Sequence, residues 1–326
     1  MTDHRNNFAL MRQVHAVLVM HYIDGLKQSE IAAALNLSPS KVNRLIALGK
    51  RNDLVRIDIR TPFQRLNELE QQLIRNTGLS SAVVAPATPG SESATLRQVG
   101  QTAASDLTET LRDGDVIAIT GGKAVSAVVE GLAAERTFDV TVVPLTGGVQ
   151  GKYYTDVNHL ATRMAERLGG RTMLLHAPLF AECREQRDML KSVASIREVL
   201  DLARRATVAV VGIGSIKPPD SSYYDLHPIP ADDRHMLAHT DAAGELLGYI
   251  IRADGSLANY ALNSRLVALE LDELKHCKRV IGVASGQHKV GPIRAALSGG
   301  YLDALVSDEA TVGQVLETWE GGRHVA

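Results

Sequence analysis

Four short segments place glycine directly after a run of apolar and β-branched residues. They are Gly121-Gly122-Lys123 after VIAIT, Thr146-Gly147-Gly148 after VVPL, Gly212-Ile213-Gly214-Ser215 after VAVV, and Ser285-Gly286-Gln287-His288-Lys289 after IGVA. Glycine lets backbone N–H groups come close to an anion, a helix that starts there adds partial positive charge, and Lys123 and Lys289 add full charges. The chemistry this offers is capture of a small phosphorylated or polyhydroxylated molecule. Asp254, before Gly255, and Asp308, before Glu309, stand at two further strand ends. A carboxylate there can accept from a sugar hydroxyl, and an analogue lacking that hydroxyl would leave it unpaired. The same residues also suit plain structural work: glycine and Asp254 for tight turns, Asp308 and Glu309 for a helix start.

A second constellation lies near the N-terminus. Residues 26–48 read LKQSEIAAALNLSPSKVNRLIAL. Ile31 and Leu35 give the first helix an apolar face, Ala32 permits a close crossing, Asn36-Leu37 makes the turn, and Val42 with Leu45 face back from a second helix, which is the spacing of a helix-turn-helix. Ser38 is placed to cap that second helix and Pro39 to occupy its first position. Ser40, Lys41, Asn43 and Arg44 must then face outward, where they suit phosphate oxygens and base edges of duplex DNA. Gln28 is either a phosphate contact or a capping side chain. Residues 54–59 alternate like a strand and could form a wing that brings Arg56 and Arg60 to the DNA backbone.

Several chemistries are excluded. Gly212-Ile213-Gly214 lacks the third glycine of a dinucleotide fingerprint, and residues 147–152 fall one short of a P-loop. There is no GxSxG elbow, and nothing ties His159, His176 or His288 to a nucleophile. Cys183 and Cys277 are too far apart and too isolated to suggest a disulfide framework or a cysteine metal site, so no cofactor or metal is expected. No stretch approaches the roughly 18 apolar residues of a membrane span, and the start MTDHRNNFALM carries no basic region followed by an apolar one, which points to the cytoplasm.

Charge separates two parts of the 326-residue chain. Residues 1–60 hold nine Lys/Arg and five Asp/Glu, a charge of +4, which leaves 26 and 32 for residues 61–326, a charge of −6. A basic head on an acidic body suits a protein that touches DNA phosphates with one end. With only 13 aromatic residues, a stacking platform for single strands is disfavoured.

The elements that must position these residues follow from periodicity. Before residue 62 the pattern is helical. Leu66, Leu69 and Leu73 then form the seam of a helix over 63–76, which packs either on its own body or on a twin in a dimer. From residue 80, apolar runs at 82–85, 116–120, 140–145, 172–176, 207–213, 247–251, 279–284 and 304–307 alternate with helical stretches at 92–111, 123–134, 157–168, 193–205, 263–270, 289–298 and 309–318. That alternation predicts an α/β body with a doubly wound, mainly parallel sheet. The segment from Lys217 to Pro230, with Tyr223-Tyr224, is irregular enough for a lid or an interface arm. The division expected is 1–61 for a small, all-α winged helix-turn-helix, 62–78 for a linker or dimerisation helix, and 79–326 for effector binding and oligomerisation.

Seven segments in order, LKQSEIAAALNLSPSKVNRLI, GDVIAITGGKAV, VVPLTGGVQ, LLHAPLF, VVGIGS, GELLGYIIRADG and GVASGQHKVGPIRAALSGGYLDALVSDEAT, resemble the SorC family of sugar-responsive bacterial transcriptional regulators across nearly the whole chain. The resemblance implies a winged helix-turn-helix joined to an effector domain related to phosphosugar isomerases. It also implies a homodimer or homotetramer on operator DNA and control by a sugar, phosphosugar or polyol. It assigns the effector loops to Thr120, Gly121, Gly122 and Lys123, to Gly147 and Gly148, to Asp156 with Asn158, to Gly212 and Gly214, and to Asp254, Lys289 and Asp308. The reading is a non-enzymatic regulator of a carbohydrate or polyol operon. The alternative is a phosphosugar isomerase or deaminase, which would need a converging acid and base that the loops do not supply.

Overall fold

A computed structural model of the protein describes residues 2–52, 54–55, 63–149, 156–217, 223, 237 and 241–319. The chain divides into two compact units, Met1–Pro62 and Phe63–Ala326.

The first unit is three helices: α1 (Thr2–Tyr22), α2 (Gln28–Ala34) and α3 (Pro39–Arg51). Val14, Val17 and Leu18 of α1, Ile31 and Ala32 of α2, and Val42, Leu45 and Ile46 of α3 make its core. Asn36 takes the left-handed conformation, φ 51°, in the turn after α2, where asparagine is tolerated better than other non-glycine residues. The amide of Leu37 donates to the carbonyl of Ala32 at 2.8 Å and closes the helix end. The expected wing lies almost wholly outside the described residues, Arg56 and Arg60 with it.

The second unit opens with α4 (Gln64–Thr77), which ends at Gly78 in the left-handed conformation. Its leucine seam is used within the chain: Leu66 and Leu73 belong to the body core and Leu69 packs against it. The carboxylate of Glu70 accepts from the amide of Val84 on edge strand β1 (Ser81–Ala85) at 2.8 Å, and the indole of Trp319 donates to the carbonyl of Asn76 at 3.0 Å. The helix is therefore docked along one edge of its own sheet.

The remaining strands are β2 (Val116–Ile119), β3 (Thr141–Pro144), β4 (Arg171–Thr172), β5 (Val208–Gly214), β6 (Ala242–Leu246), β7 (Tyr249–Arg252), β8 (Val280–Val283) and β9 (Ala304–Asp308). The sheet runs β1-β9-β8-β5-β2-β3-β4, parallel throughout, and β6 and β7 attach as an antiparallel hairpin to the end of β5. Side chains alternate between two cores. Ile117, Ile119, Val142, Val208 and Val210 face α5 (Glu92–Thr110), α6 (Lys123–Gly131) and α7 (Val157–Leu168). Ala118, Val143, Ala209 and Val211 face the other way, toward α4, α9 (Ala194–Arg204), α11 (Val290–Ser298) and α12 (Glu309–Glu317). Helices on both faces of a parallel sheet explain why its strands read as unbroken apolar runs.

Four details depart from expectation. The 172–176 run contributes only its first residue to a strand, because β4 pairs with β3 through Arg171 and Thr172 alone. The 263–270 stretch is not an α-helix: Ala261–Arg265 is a short 3-10 turn, and within residues 266–269, each fully buried, Leu266 and Ala268 form bridges with Phe180 and Thr146. Four consecutive buried residues have no solvent face, so extended backbone accommodates them better than an amphipathic helix. The 247–251 run is the second arm of a hairpin whose first arm, β6, was hidden by its glycine and glutamate. Helix α8 (Arg184–Ser192) buries no residue and carried no apolar stripe to announce it, and the short helix α10 (Leu271–Leu274) follows the 266–269 run. The stretch from Lys217 to Pro230 is described only at Lys217 and at Tyr223, which is buried.

Candidate functional site

In the first unit, the hydroxyl of Ser38 caps α3 by accepting from the amide of Lys41 at 3.2 Å, with Pro39 at the first helical position. Because Val42, Leu45 and Ile46 are turned inward, Ser40, Lys41, Asn43 and Arg44 are all exposed on the opposite face. The guanidinium of Arg44 donates from Nε to the carbonyl of Ser40 at 3.4 Å, so it lies along the helix, one turn back. Gln28 is the first residue of α2 and is half-buried. The arrangement is a capped helix that presents a hydroxyl, an ammonium, an amide and a guanidinium together.

In the second unit, strand order reverses between β2 and β5: β3 and β4 extend the sheet on one side, β8, β9 and β1 on the other. Crevices outside the carboxyl ends of strands at such a switch point are where open α/β sheets bind ligands. A cavity of about 620 Å³ lies there, and Thr120, Gly121, Gly122, Lys123, Gly147, Gly212, Gly214 and Lys289 all line it. Thr120 is buried, and its hydroxyl accepts from the amide of Gly212 at 3.0 Å, tying β2 to β5 at the point of reversal. Gly122 has φ 116°, a conformation open to glycine alone at little cost, and it lets the first turn of α6 face the cavity without a side chain in the way. A Cβ at Gly214 would run into the side chain of Glu245, so glycine there lets that carboxylate lie against the end of β5.

Glu245 is the main lining residue that sequence reasoning passed over. It reaches the cavity from β6, where the amide of Gly248 donates to its carboxylate, and burial pushes its pKa up against the opposing pull of that amide and of Lys289. Burial also brings the ammonium of Lys289 down to about 8, with Glu245 opposing the fall and Lys123 adding to it. The imidazole of His288 is lowered as well, first by burial and then by the Lys289 charge. Glu92, Ser93, Thr146, Ser215, Ser285 and His288 add further polar groups to the lining. A carboxylate inside the run AAGELLGYII was a visible signal for Glu245. Glu92 carried none, because only the packing of α5 brings it there.

Five expected effector residues stand elsewhere. Asp308 is buried and fully engaged: it caps α12 by accepting from the amide and hydroxyl of Thr311, and it accepts from the amide of Gly286 at 3.1 Å. It fixes the loop after β8 from behind and does not face the cavity. Asp254 lies in the tight turn after β7, accepting from the amide and hydroxyl of Ser256, which hold its carboxyl below the usual range. Its strand belongs to the antiparallel hairpin, so its end does not gather with the parallel strand ends. Asp156 caps α7 through the amides of Asn158 and His159. Asn158 is occupied by the amide and carbonyl of Leu175, and Gly148 pairs with Ala177. These three build the floor behind Gly147. Among the described residues, no group of His, Cys, Asp and Glu is placed to hold a metal ion.

The family "Putative sugar-binding domain" matches residues 61–317, and the family "Sigma-70, region 4" matches residues 9–52. The chain belongs to the SorC family of transcriptional regulators. It is similar to the transcriptional regulator LsrR of Klebsiella pneumoniae, 32% identical over 301 residues that cover 91% of this chain and 90% of the relative. It is 29% identical to the erythritol catabolism regulatory protein EryD of Brucella abortus, covering 90% and 92% of the two chains. The crystal structure of the full-length sorbitol operon regulator SorC from Klebsiella pneumoniae superimposes with a TM-score of 0.73 at 27% identity, over 94% of this chain and 98% of that one. By name these relatives are a transcriptional regulator, a catabolism regulatory protein and an operon regulator, and this SorC-family chain is a regulator rather than an enzyme. No helix among the described residues is long and apolar enough to cross a membrane.

Proposed function

We propose that this SorC-family protein is a cytoplasmic regulator of a carbohydrate or polyol operon. It reads duplex operator DNA with α3 and is switched by a phosphorylated sugar or polyol held in the 620 Å³ cavity. The observation that carries the reading is convergence: Gly122-Lys123, Gly212, Gly214 and Lys289, separated by up to 167 residues of sequence, line one cavity at the strand-order reversal. A phosphoryl group there would meet the first turn of α6 and two ammonium groups. Glu245 and Glu92 are the carboxylates that would accept from hydroxyls, in place of Asp254 and Asp308. The names of EryD and SorC, erythritol catabolism and sorbitol operon, support a polyol or sugar class.

In the head, Asn43 and Arg44 read bases, while Lys41, with Ser38 and Ser40 at the helix start and Gln28 beside it, holds phosphate. One head spans few base pairs, so the working form is a homodimer or homotetramer whose paired heads stand roughly 34 Å apart on a palindrome. The stripe of α4 is occupied by its own body, so the partner contact lies on another surface. Effector and DNA are coupled as two ligands of a two-state protein, each altering affinity for the other by the same factor.

The test is a thermal-shift panel of pentose and hexose phosphates and the parent polyols, because a ligand that binds the folded state stabilises it by mass action. The best ligand is then titrated into wild type and Lys289→Ala. Weaker binding in the variant is expected. Equal affinity would place the ligand elsewhere and end this assignment.

A further inference from the structure

A second cavity, of about 390 Å³, opens beside the first and shares Ser215 and His288 with it. One face of α11 forms its long wall through Gly291 and Arg294, and Lys217 and Trp319 stand at its sides. Its charge is one-sided. Lys217 and Arg294 bring basic side chains to it and, among the described residues, no Asp or Glu lines it, although the body as a whole carries 32 acids against 26 bases. The first cavity differs, setting Glu92 and Glu245 against Lys123 and Lys289. Arg294 is half-buried, and among the described residues neither it nor Lys217 has an ion-pair partner. A guanidinium drawn partly out of water without a counter-charge is unfavourable, and an anion entering the cavity would relieve that cost.

We propose that this second cavity is a phosphate site, distinct from the effector cavity and separated from it only by the Ser215 and His288 wall. Arg294 supplies a planar fork suited to two phosphate oxygens, and Lys217 supplies a point charge. The phosphoryl group comes either from the far end of a bisphosphorylated effector reaching past that wall or from a separate phosphorylated molecule. The site does not depend on the effector assignment, since its cations are its own.

The chain contains a single tryptophan, Trp319, and it lines this second cavity and not the first. Its emission therefore reports on the site directly. Full-length protein is titrated with inorganic phosphate at constant ionic strength, with chloride as the control anion. A saturable change in Trp319 emission is expected, with half-saturation at least about tenfold weaker in Arg294→Gln, as loss of a charged hydrogen-bond donor predicts. Lys217→Gln should weaken it in the same direction and serves if the first variant does not fold. A hexose bisphosphate that moves Trp319 at lower concentration than phosphate identifies the effector's own second phosphate as the source. A hexose monophosphate that binds calorimetrically without moving Trp319, while phosphate still does, identifies a separate molecule. The proposal is overturned if neither phosphate nor bisphosphate gives a saturable response in wild type, or if half-saturation is equal in wild type and both variants. Failure of the effector assignment reads out differently, as unchanged monophosphate affinity in Lys289→Ala.

Discussion

Between Gln28 and Arg44 the head assembles the described part of its candidate surface on two helices. The body needs residues from Glu92 to Lys289, carried by the ends of five strands and the starts of at least two helices, to line one cavity. In the head, a 3.6-residue period and one capping serine decide which side chains face out. In the body, no local period says which loops meet, because the order of strands in the sheet decides it. The contrast teaches that a helical recognition face is a local property of sequence, whereas a cavity at a strand-order reversal is a property of topology.

The largest effect expected tests whether α4 belongs with the body. Leu73 is fully buried in the body core, so Leu73→Ala should cost about 2–5 kcal/mol by loss of burial and the cavity left behind. Denaturation followed by circular dichroism should show the loss in the larger unit's transition. An unchanged midpoint, combined with loss of oligomerisation in light scattering, would show instead that the helix serves a partner.

A smaller effect separates reading from holding in the head. Arg44→Ala should cost about 1–3 kcal/mol on the operator and relax base preference, while Lys41→Ala should weaken all duplexes alike and reduce the salt slope by about one. Fluorescence anisotropy on specific and scrambled duplexes at several salt concentrations measures both. A preserved specificity ratio in Arg44→Ala would break the proposed division of labour. Neither change should alter effector affinity.

The body has its counterpart in a pH profile. The ammonium of Lys289 loses its proton near pH 8 in the free protein, so affinity for a phosphorylated effector should fall as pH rises through that value. An unperturbed lysine, titrating near 10.4, would give no such fall. Calorimetric titration between pH 6.5 and 9 should show the decline in wild type and its absence in Lys289→Ala. The same lowering has a consequence for folding: the unfolded chain holds the proton to higher pH, so this group's contribution to stability rises between about 8 and the unfolded value.

The smallest effect expected is at the helix cap. Ser38→Ala removes the acceptor for the Lys41 amide and should cost the head about 0.5–2 kcal/mol, with operator affinity falling modestly as α3 frays and the Ser38 hydroxyl is lost from the phosphate-holding group. Thermal unfolding of the full chain should show the head's transition lowered and effector-induced stabilisation of the body intact.

Sequence by itself determined most of the elements and much of the chemistry. The Ser38-Pro39 cap, the inward Val42 and Leu45, the unbroken apolar strands and the glycines at their ends are local features. They led to the helix-turn-helix, the parallel sheet and seven residues that line the cavity, Gly121, Gly122, Lys123, Gly147, Gly212, Gly214 and Lys289, to which the family resemblance added Thr120. Tertiary structure decided which polar residues share that cavity. Asp254 and Asp308 stand at strand ends just as Gly212 does, yet one falls on an antiparallel hairpin and the other is saturated by Thr311 and Gly286. Glu245 enters because β6 pairs antiparallel with the end of β5, and Glu92 because α5 packs beside α6. Hydrogen bonding between strands and packing between helices set those neighbours, and both act across sequence separations that no periodicity records.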